Sequence, residues 1–318
     1  MLECGKQGDA EIICGTRAPE DLEPTPDGKF LIVAKFGKGD DSPLDLFELA
    51  TQKFTAAPLY AEKREKWGEP GCKESLGDKV GPHGLSFSKR TTGEWQLLVV
   101  NHNVRESMEM YEVLPEGKAW KLVWRGCVIA QKPYNDVAAL PDGGFVATRP
   151  QAIQKEGEDL FGGQPTGNVG RWSAATGEEV LPGSDIGYPN GVVVSADGRY
   201  AYITGWTTRD FHKYDLVNKK EVGKAKFTFM PDNLTWTPDG KILAAGINGV
   251  SGNCPADSAN PCIQGFGVAE IDPATLKVTV VYDSKGKALI NGVSVAIQVG
   301  RNVYIGAFQG NRIVKLSH

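Results

Sequence analysis

The sequence predicts an all-β protein, a six-bladed β-propeller with four-stranded antiparallel blades. The first observation is a hairpin pattern in YPNGVVVSADGRYAYITG, from Tyr188 to Gly205: an Asn-Gly loop, a short strand, a turn and a second strand. The turn contains Asp197 and Gly198, residue types that close hairpins because they tolerate positive φ. The second observation is that this pattern recurs along the chain, and the third is the spacing of its copies.

The hairpin pattern occurs in six units. Besides the unit at Tyr188, clear copies begin at Pro19, Tyr134 and Met230, and weaker copies begin at Gly81 and Ile290. Equivalent positions lie 55 residues apart from Asn135 to Asn190 and 43 residues apart from Asn190 to Asn233, which fits the roughly 40 to 50 residues of a four-stranded blade with insertions. A length of 318 residues would by itself suggest two domains, but an array of repeats closes into one propeller. Residues 1–318 are therefore predicted to form a single domain.

The segments between these hairpins supply outer strands or insertions. Residues 44–54 and 211–222 continue two of the blades, and residues 84–90, 95–103, 106–114 and 119–129 make four strands of one blade. Residues 57–80 have no strand periodicity and predict a long loop or a short helix over one face. The insertion at 150–167 contains Ile153, Leu160 and Phe161, which could form an amphipathic lid; a plain surface excursion is the alternative.

The composition is that of an ordinary soluble globular protein. The net charge is -4, with 41% hydrophobic and 23% charged residues, so there is no basic surplus for nucleic acid. No apolar run is long enough to span a membrane. The start, MLECGKQGDA, lacks the basic and apolar regions of a signal peptide. The chain is therefore predicted to be cytoplasmic, or exported with its signal already removed.

The six cysteines favour export to the periplasm or secretion. Cys254 and Cys262 bracket one polar loop and Cys4 and Cys14 another, which would leave Cys72 to pair with Cys127. Six cysteines allow fifteen pairings, so this connectivity rests on proximity alone. Free, buried cysteines remain the alternative. An even number of cysteines in polar loops indicates an oxidising compartment.

Polar residues stand just before the first strand of each unit. They are Glu20, Asp21, His83, Asn135, Asp136, Asn190, Asp232, Asn233 and Asn291. Equivalent positions of successive blades face one another at one end of a propeller channel. Five of them, Glu20, Asn135, Asn190, Asp232 and Asn233, would form a ring of oxygen ligands with two negative charges, which suits Ca²⁺. Taken singly, each Asn or Asp could instead be a turn residue that bonds its own backbone.

These motifs resemble one known family. GPHGLSF at Gly81, LLVVNH ending at His102, ND at Asn135, PNG at Pro189 and PDN at Pro231 are similar to the paraoxonase family of propeller lactonases and arylesterases. That family belongs more broadly to the senescence-marker and gluconolactonase group. The resemblance runs from about Pro19 to the end of the chain. The chain differs from mammalian members in lacking their long apolar amino-terminal anchor and in having extra cysteines.

The resemblance implies two calcium ions and a histidine pair. The catalytic Ca²⁺ would be held by the ring of five, and a structural Ca²⁺ by Asp21, Asp136 and the carbonyl of Leu85. The histidine pair falls on His83 and His102. Gluconolactonase-like members usually lack the Asp-Asn pair and both histidines, and strictosidine-synthase-like members generally lack the metal ring. The presence of both features favours the paraoxonase-like branch.

The implied reaction is hydrolysis of a lactone or aryl ester whose carbonyl the calcium ion polarises. His83 would take a proton from the attacking water, and His102 would orient or relay from behind it. Asp232 is the alternative base. Without the resemblance, a capped loop histidine and a satisfied core histidine would be the simpler interpretation of the pair.

Substrate choice depends on the rim of the site. Trp206, Phe308 and the 57–80 segment could form an apolar wall, although Trp206 could equally pack between blades. The predicted partner is a small lactone or ester. Two further hypotheses remain: a sugar-lactone hydrolase or a Ca²⁺-dependent lyase or hydratase at the same ring, and a non-catalytic, calcium-stabilised propeller that binds a partner.

Overall fold

The computed structural model describes residues 3–37, 42–64, 67–249, 265–285, 287 and 289–317, and it confirms the six-bladed propeller. Blade 1 contains β3 (Pro19–Pro24), β4 (Phe30–Lys35), β5 (Leu44–Glu48) and β6 (Lys53–Ala56). Blade 2 contains β7 (Leu59–Ala61), β8 (Pro82–Lys89), β9 (Trp95–Asn101), β10 (Ser107–Glu116) and β11 (Ala119–Ile129). A short 3₁₀ helix, Gly77–Lys79, precedes β8.

The next three blades each have four strands. Blade 3 contains β12 (Val137–Ala139), β13 (Phe145–Arg149), β14 (Asn168–Ser173) and β15 (Gly177–Val180). Blade 4 contains β16 (Pro189–Val194), β17 (Tyr200–Gly205), β18 (Asp210–Asp215) and β19 (Lys220–Lys226). Blade 5 contains β20 (Met230–Trp236), β21 (Ile242–Ile247), β22 (Phe266–Ile271) and β23 (Val278–Asp283).

Blade 6 closes the ring by joining the two ends of the chain. It contains β24 (Val293–Val299), β25 (Asn302–Ala307), β26 (Arg312–Ser317), β2 (Ala10–Cys14) and β1 (Gly5–Gln7). β2 pairs antiparallel with β26, with Ile12 opposite Val314. Because an amino-terminal strand completes a carboxy-terminal blade, opening the propeller requires breaking a full ladder of hydrogen bonds. The innermost strands β3, β8, β12, β16, β20 and β24 contact one another in a closed cycle around the axis.

The predicted Asp-Gly turns close the inner hairpins. In blade 4 the Ser195 hydroxyl donates to Asp197 Oδ1 at 2.5 Å, and Gly198 has φ +70°. The same arrangement, with Thr in place of Ser, closes blade 1 at Gly28 and blade 5 at Gly240. Glycine is required there because the left-handed backbone costs other residues about 1–2 kcal/mol.

The apolar core lies in layers between neighbouring blades. One layer joins Val146 of blade 3 to Val192, Ile203 and Tyr214 of blade 4, all of them buried. Comparable clusters fill the other interfaces. Burying a side chain of this size contributes about 1.5–3 kcal/mol, so the interfaces hold the blades at fixed angles. That rigidity positions the inner strand ends.

Two disulfide bonds predicted from proximity are confirmed. Cys4 bonds Cys14 beside the strands β1 and β2, and Cys72 bonds Cys127 of β11. Cys254 and Cys262 lie outside the described residues. Two disulfides agree with an oxidising compartment. Among the described residues, no helix is long and apolar enough to cross a membrane.

The two long insertions occupy different places. Residues 57–80 contain β7, which pairs in parallel with β11 on the outer edge of blade 2, and near the end of this segment the Lys79 carbonyl accepts a bond from Asn103, just beyond β9. The 150–167 insertion contacts blade 4 instead: the Thr166 hydroxyl accepts from Tyr188 N–H, and the Phe161 ring lies 5.8 Å from the ring of Trp206. That residues 1–318 form one domain stays a prediction.

Candidate functional site

The innermost strands begin with irregular pairing at the positions of the predicted ring. The antiparallel registers shift between Pro19 and Asp21, between Pro189 and Val192, and between Pro231 and Leu234. Glu20, Asn190, Asp232 and Asn233 are therefore skipped by the ladders. Bulges of this kind re-aim side chains out of the regular alternation of a strand. The repeated motif thus releases one or two polar side chains per blade.

The structure brings the five predicted ring residues together near the axis. Asn233 Nδ2 donates to Glu20 Oε1 at 2.8 Å, across the gap between blades 5 and 1. His83 Nε2 lies 3.8 Å from the same Glu20 oxygen and 3.5 Å from Asn135 Nδ2. The backbone carbonyl of Asp232 accepts from the Thr204 hydroxyl at 2.8 Å, and a comparable bond from Thr148 holds the carbonyl of Asn190.

Glycine allows the ring residues to approach each other. A Cβ atom at Gly191 would lie 2.4 Å from the carbonyl oxygen of Asp232 and 2.7 Å from the Cα of Asn233. Those distances are shorter than any non-bonded contact, so only glycine fits between Asn190 and the Asp-Asn pair.

Four oxygens of the ring have no hydrogen-bond partner in the part of the chain that the structure describes. They are Glu20 Oε2, Asn135 Oδ1, Asn190 Oδ1 and Asn233 Oδ1, each buried. An unpaired buried acceptor costs about 1–3 kcal/mol in folding free energy. Four such oxygens near the propeller axis need a donor or a cation from outside the chain. Carboxylate and amide oxygens are the ligands that Ca²⁺ takes, with a coordination number of about 6 to 8. The residues present therefore fit the predicted ion.

The buried carboxylates of the site also favour a bound cation. Burial, followed by repulsion from Asp21, Asp232 and Asp136, raises the pKa of Glu20 well above its usual value. Burial also raises the pKa values of Asp136 and Asp232, and that of Asp21 to about 7. No described lysine or arginine forms an ion pair with any of these four carboxylates. Buried, unpaired carboxylates are stabilised by bound cations.

The two carboxylates predicted to hold the second ion already accept hydrogen bonds from backbone N–H groups. Asp21 accepts bonds from the N–H groups of Leu22 and Leu85, at 2.8 and 2.6 Å, and Asp136 accepts from those of Val137 and Val192, at 2.7 Å each. Each carboxylate oxygen keeps a free lone pair. Asp21 and Leu85 are adjacent, as predicted, but the Leu85 carbonyl as a ligand stays a prediction.

Among the described residues, no three or more His, Cys, Asp or Glu side chains converge on one point as metal ligands. The ring contains only two carboxylates, with three amides, so such a group is not expected there. The Asp21 and Asp136 pair likewise has only two acidic side chains. Both sites therefore stay predictions that rest on amide oxygens, backbone groups and buried charge.

The four buried carboxylates predict a pH dependence of the calcium-free protein. A carboxyl whose pKa is higher in the folded than in the unfolded state favours folding when protonated, so stability falls as pH rises between the two values. For Asp21 that interval runs from 3.8 to about 7. We expect the melting temperature of chelated protein to fall across this interval and calcium to restore it most at the upper end. Calorimetry checks this, and a chelated protein that is equally stable throughout would contradict it.

The two predicted histidines form a hydrogen-bonded pair. His83 Nδ1 lies 3.0 Å from His102 Nε2. Burial, and then the neighbouring His102, lower the pKa of His83 well below 6.5, so this imidazole is neutral near pH 7. His102 Nδ1 lies 2.6 Å from Glu106 Oε2, a contact that sequence analysis missed. A neutral imidazole beside the ring can accept a proton, as the prediction requires.

Aromatic side chains lie at the ends of the inner hairpins, close in sequence to the ring residues. Trp206 lies 5.4 Å from the ring of Tyr188, and Phe36 lies 4.5 Å from that of His83. Phe308 packs on Gly292, where a Cβ atom would lie 2.9 Å from the phenyl ring. Trp206 also packs against the core between blades, as the alternative interpretation expects, and its role in a substrate wall stays a prediction. Sequence analysis missed Tyr188, although it directly precedes the PNG motif.

The sixth blade places at the ring position a residue that sequence analysis did not name. The carbonyls of Ala18, Tyr188 and Gly292 each accept a bond from the end of the following strand, and all three residues have positive φ. These three residues are therefore equivalent, and the residues two positions after them, which are Glu20, Asn190 and Ser294, are equivalent as well. Ser294, rather than Asn291, thus occupies the ring position, and its hydroxyl donates to the Glu20 carbonyl at 2.6 Å. Asn291 lies three residues earlier and bonds Gln309.

An open cavity of about 480 Å³ lies elsewhere, under the 150–167 insertion. Its lining includes Lys132, Pro133, Gln151 and Lys155 and none of the ring residues. The ring, where unpaired oxygens and buried charge converge, is therefore the better candidate for chemistry.

Comparison with known proteins points to one family. The sequence model of the family described as Arylesterase matches residues 72–313. Serum paraoxonase/arylesterase 1 of Homo sapiens is 23% identical over 299 residues, which cover 89% of this chain and 81% of that protein. The Mus musculus protein of the same name is 26% identical over 239 residues, covering 71% of this chain and 65% of that protein. Placement in the wider gluconolactonase group stays a prediction.

Solved structures share the architecture at low identity. A luciferin-regenerating enzyme has a TM-score of 0.56 and 14% identity, with coverage of 97% of this chain and 95% of that one. The PQQ-bound aldose sugar dehydrogenase of Streptomyces coelicolor has a TM-score of 0.55 and 13% identity, with coverage of 98% of both chains. At such identities the likeness shows the fold alone.

Proposed function

Because this chain belongs to the arylesterase family, we propose that it is a calcium-dependent hydrolase of lactones and aryl esters, with its active site at the ring of Glu20, Asn135, Asn190, Asp232 and Asn233. The observation that carries the proposal is the set of four buried ring oxygens without a partner in the described chain. The family match begins at residue 72, so the role of Glu20 rests on its place in the ring and that of Asp21 on its contact with Leu85.

The five ring residues would hold the catalytic ion, and Asp21, Asp136 and the Leu85 carbonyl would hold a second, structural ion. When bound, calcium supplies a Lewis acid that polarises an ester carbonyl and stabilises developing negative charge on its oxygen. The chain fixes the ligands before substrate arrives: Asn233 binds Glu20, and hydroxyls of Thr148 and Thr204 hold the backbone of Asn190 and Asp232.

His83 is the proposed base. Its Nε2 faces Glu20 and Asn135 at 3.8 and 3.5 Å, so the nitrogen lies at the edge of the ring. The lowered pKa keeps it unprotonated near neutral pH, the state that a base needs. Asp232, the alternative base, is buried within the ring and is better used as a ligand.

The aromatic rim supports esters with a flat or apolar body. Trp206 and Tyr188 lie in contact just around Asn190 and its strand. The ring of Phe161, in the insertion, lies 5.8 Å from that of Trp206 and is half exposed, and Phe308 packs on Gly292. Aromatic faces bind aryl groups by offset stacking, worth about 0.5–1.5 kcal/mol per pair beyond burial. A free sugar has mostly hydroxyl groups to place against this apolar wall and would bind it poorly.

We also propose that the protein is exported. Two disulfide bonds, one of which closes a loop of 55 residues between Cys72 and Cys127, would not persist in a reducing cytoplasm.

The test is hydrolysis of phenyl acetate, dihydrocoumarin and an aliphatic γ-lactone, before and after EDTA and after calcium is returned. We expect activity to disappear with EDTA and to return with Ca²⁺, and the aryl substrates to be turned over fastest. Gluconolactone serves as the comparison for a sugar-lactone hydrolase. Calcium-loaded, folded protein without turnover on any ester would contradict the proposal and favour a binding propeller or a lyase.

A further inference from the structure

Beyond the predicted histidine pair, the structure contains a third member in line with it. His83 Nδ1 and His102 Nε2 are 3.0 Å apart, and His102 Nδ1 and Glu106 Oε2 are 2.6 Å apart. The three side chains become more exposed outward: 14% for His83, 29% for His102 and 38% for Glu106. The line therefore runs from the ring to the protein surface.

Hydrogen-bond chemistry assigns the protons of this line. An ionised carboxylate only accepts hydrogen bonds, so His102 Nδ1 must carry the proton that Glu106 accepts. The other nitrogen of a neutral His102, Nε2, is then an acceptor, and His83 Nδ1 must donate to it. The remaining nitrogen, His83 Nε2, is left without a proton, and it is the nitrogen nearest to the ring.

We propose that Glu106 is a positioning residue that sets the tautomers of both histidines, so that the unprotonated nitrogen of His83 faces the ring. This inference rests on the proposed function and deepens it, because it says what makes His83 a base. The same carboxylate also stabilises the positive charge that the reaction creates on His102.

The proton balance of the step is complete. The oxygen of the attacking water bonds the ester carbon, and one of its protons goes to His83 Nε2. His83 passes its Nδ1 proton to His102 Nε2, so the positive charge comes to rest on His102, 2.6 Å from the Glu106 carboxylate. When the ester C–O bond breaks, the proton returns along the same line to the leaving alcohol.

The loop that carries His102 and Glu106 is fixed by hydrogen bonds. Asn101 Nδ2 donates to the carbonyls of Asn103 and Arg105 and to the hydroxyl of Ser107, at 2.7–3.0 Å. The Ala130 N–H donates to the Glu106 carbonyl at 3.0 Å. A tied loop of this kind holds the carboxylate in place before substrate binds.

The charged neighbours of this line are few. Arg105 precedes Glu106, but its guanidinium bonds Glu109 Oε1 at 2.9 Å and the Glu74 carbonyl. Glu20 lies 3.8 Å from His83, at the inner end of the line. Glu106 is therefore the carboxylate in contact with His102, and its removal would change the hydrogen bonding of that imidazole directly.

The experiment uses Glu106→Gln in the calcium-loaded protein. A glutamine amide can donate to His102 Nδ1, which would reverse both tautomers and place a proton on His83 Nε2. We expect kcat to fall about 10- to 100-fold, the effect typical of a partner that orients a functional histidine, with KM and calcium content unchanged. Glu106→Asp, which keeps a carboxylate, should recover part of kcat. Glu116→Gln, at the far end of β10 with the same 38% side-chain exposure, is the control and should not change kcat.

A second readout does not need activity. The chain has four histidines, so ¹⁵N-labelled protein gives few ring signals, and long-range ¹H–¹⁵N spectra distinguish the two tautomers of each. We expect His102 as the Nδ1–H tautomer in the wild type and a change of tautomer in Glu106→Gln. A wild-type His102 with its proton on Nε2 would overturn the inference, even in a protein without esterase activity. An unchanged kcat in Glu106→Gln would overturn it in an active one.

Discussion

Asp232→Ala is expected to abolish ester hydrolysis, by at least about a thousandfold in kcat/KM, and to lower the calcium content of the protein. Asp232 supplies one of only two negative charges in the proposed ring, and no described lysine or arginine forms an ion pair with it. Removing it leaves Glu20 and three neutral amides, a set too weakly charged to hold a divalent cation firmly. Loss of one electrostatic stabiliser typically costs about 100- to 1,000-fold, and loss of the ion costs more.

The matched control for this variant is Asp239→Ala. Asp239 is an exposed aspartate of the same blade, in the turn between β20 and β21 at the opposite strand end, where its carboxylate bonds Thr237. Activity and calcium content, measured by atomic absorption after dialysis, should stay at wild-type values. Retained activity together with retained calcium in Asp232→Ala would refute the ring as the metal site.

His83→Gln is expected to lower kcat by about 100- to 10,000-fold while calcium content stays the same. That range is the usual contribution of a general base, and glutamine has no nitrogen that takes up a proton near neutral pH. His83 contacts the ring only through its edge, 3.8 Å from Glu20, so the proposed ligands keep their places in the variant. Steady-state kinetics and metal analysis of the same sample separate the two effects.

His212→Gln provides the comparison for a buried histidine away from the ring. His212 lies in β18, the third strand of blade 4, and bonds Glu221 at 2.5 Å. Its replacement should change stability rather than kcat. If His83→Gln hydrolyses esters at the wild-type rate, the base is Asp232 or solvent, and the histidine pair serves a structural purpose.

Much of the site could be predicted from sequence because the fold repeats. The hairpin pattern sets the strand order, and the residues before each first strand occupy equivalent places around the axis. Glu20, Asn135 and Asn190 are predicted in this way from three separate units, and the structure leaves a buried, unpaired side-chain oxygen on each of them at or just before an innermost strand. Local turn chemistry carried the same information, since Asp197 and Gly198 close the hairpin as predicted.

The sixth unit shows what this reasoning could not supply. INGV at Ile290 copies the letters of PNGV at Pro189, yet the backbone pairing places Ser294 in the ring instead of Asn291. Which residue a bulge releases depends on the partner strand, and a short motif contains no information about that partner.

The sequence by itself determined the repeated hairpins, the six blades and the oxygen-bearing residue types of the proposed ring, because strand period and turn residues are local properties. Only the tertiary structure decided which atoms meet. Glu20 and Asn233 are 213 residues apart in sequence, and their side chains form a 2.8 Å hydrogen bond because blades 5, 6 and 1 close the propeller. Glu106 lies only four residues from His102, but its role depends on His83 from the neighbouring strand. Contacts of this kind arise from the packing of whole blades, and no single segment specifies them.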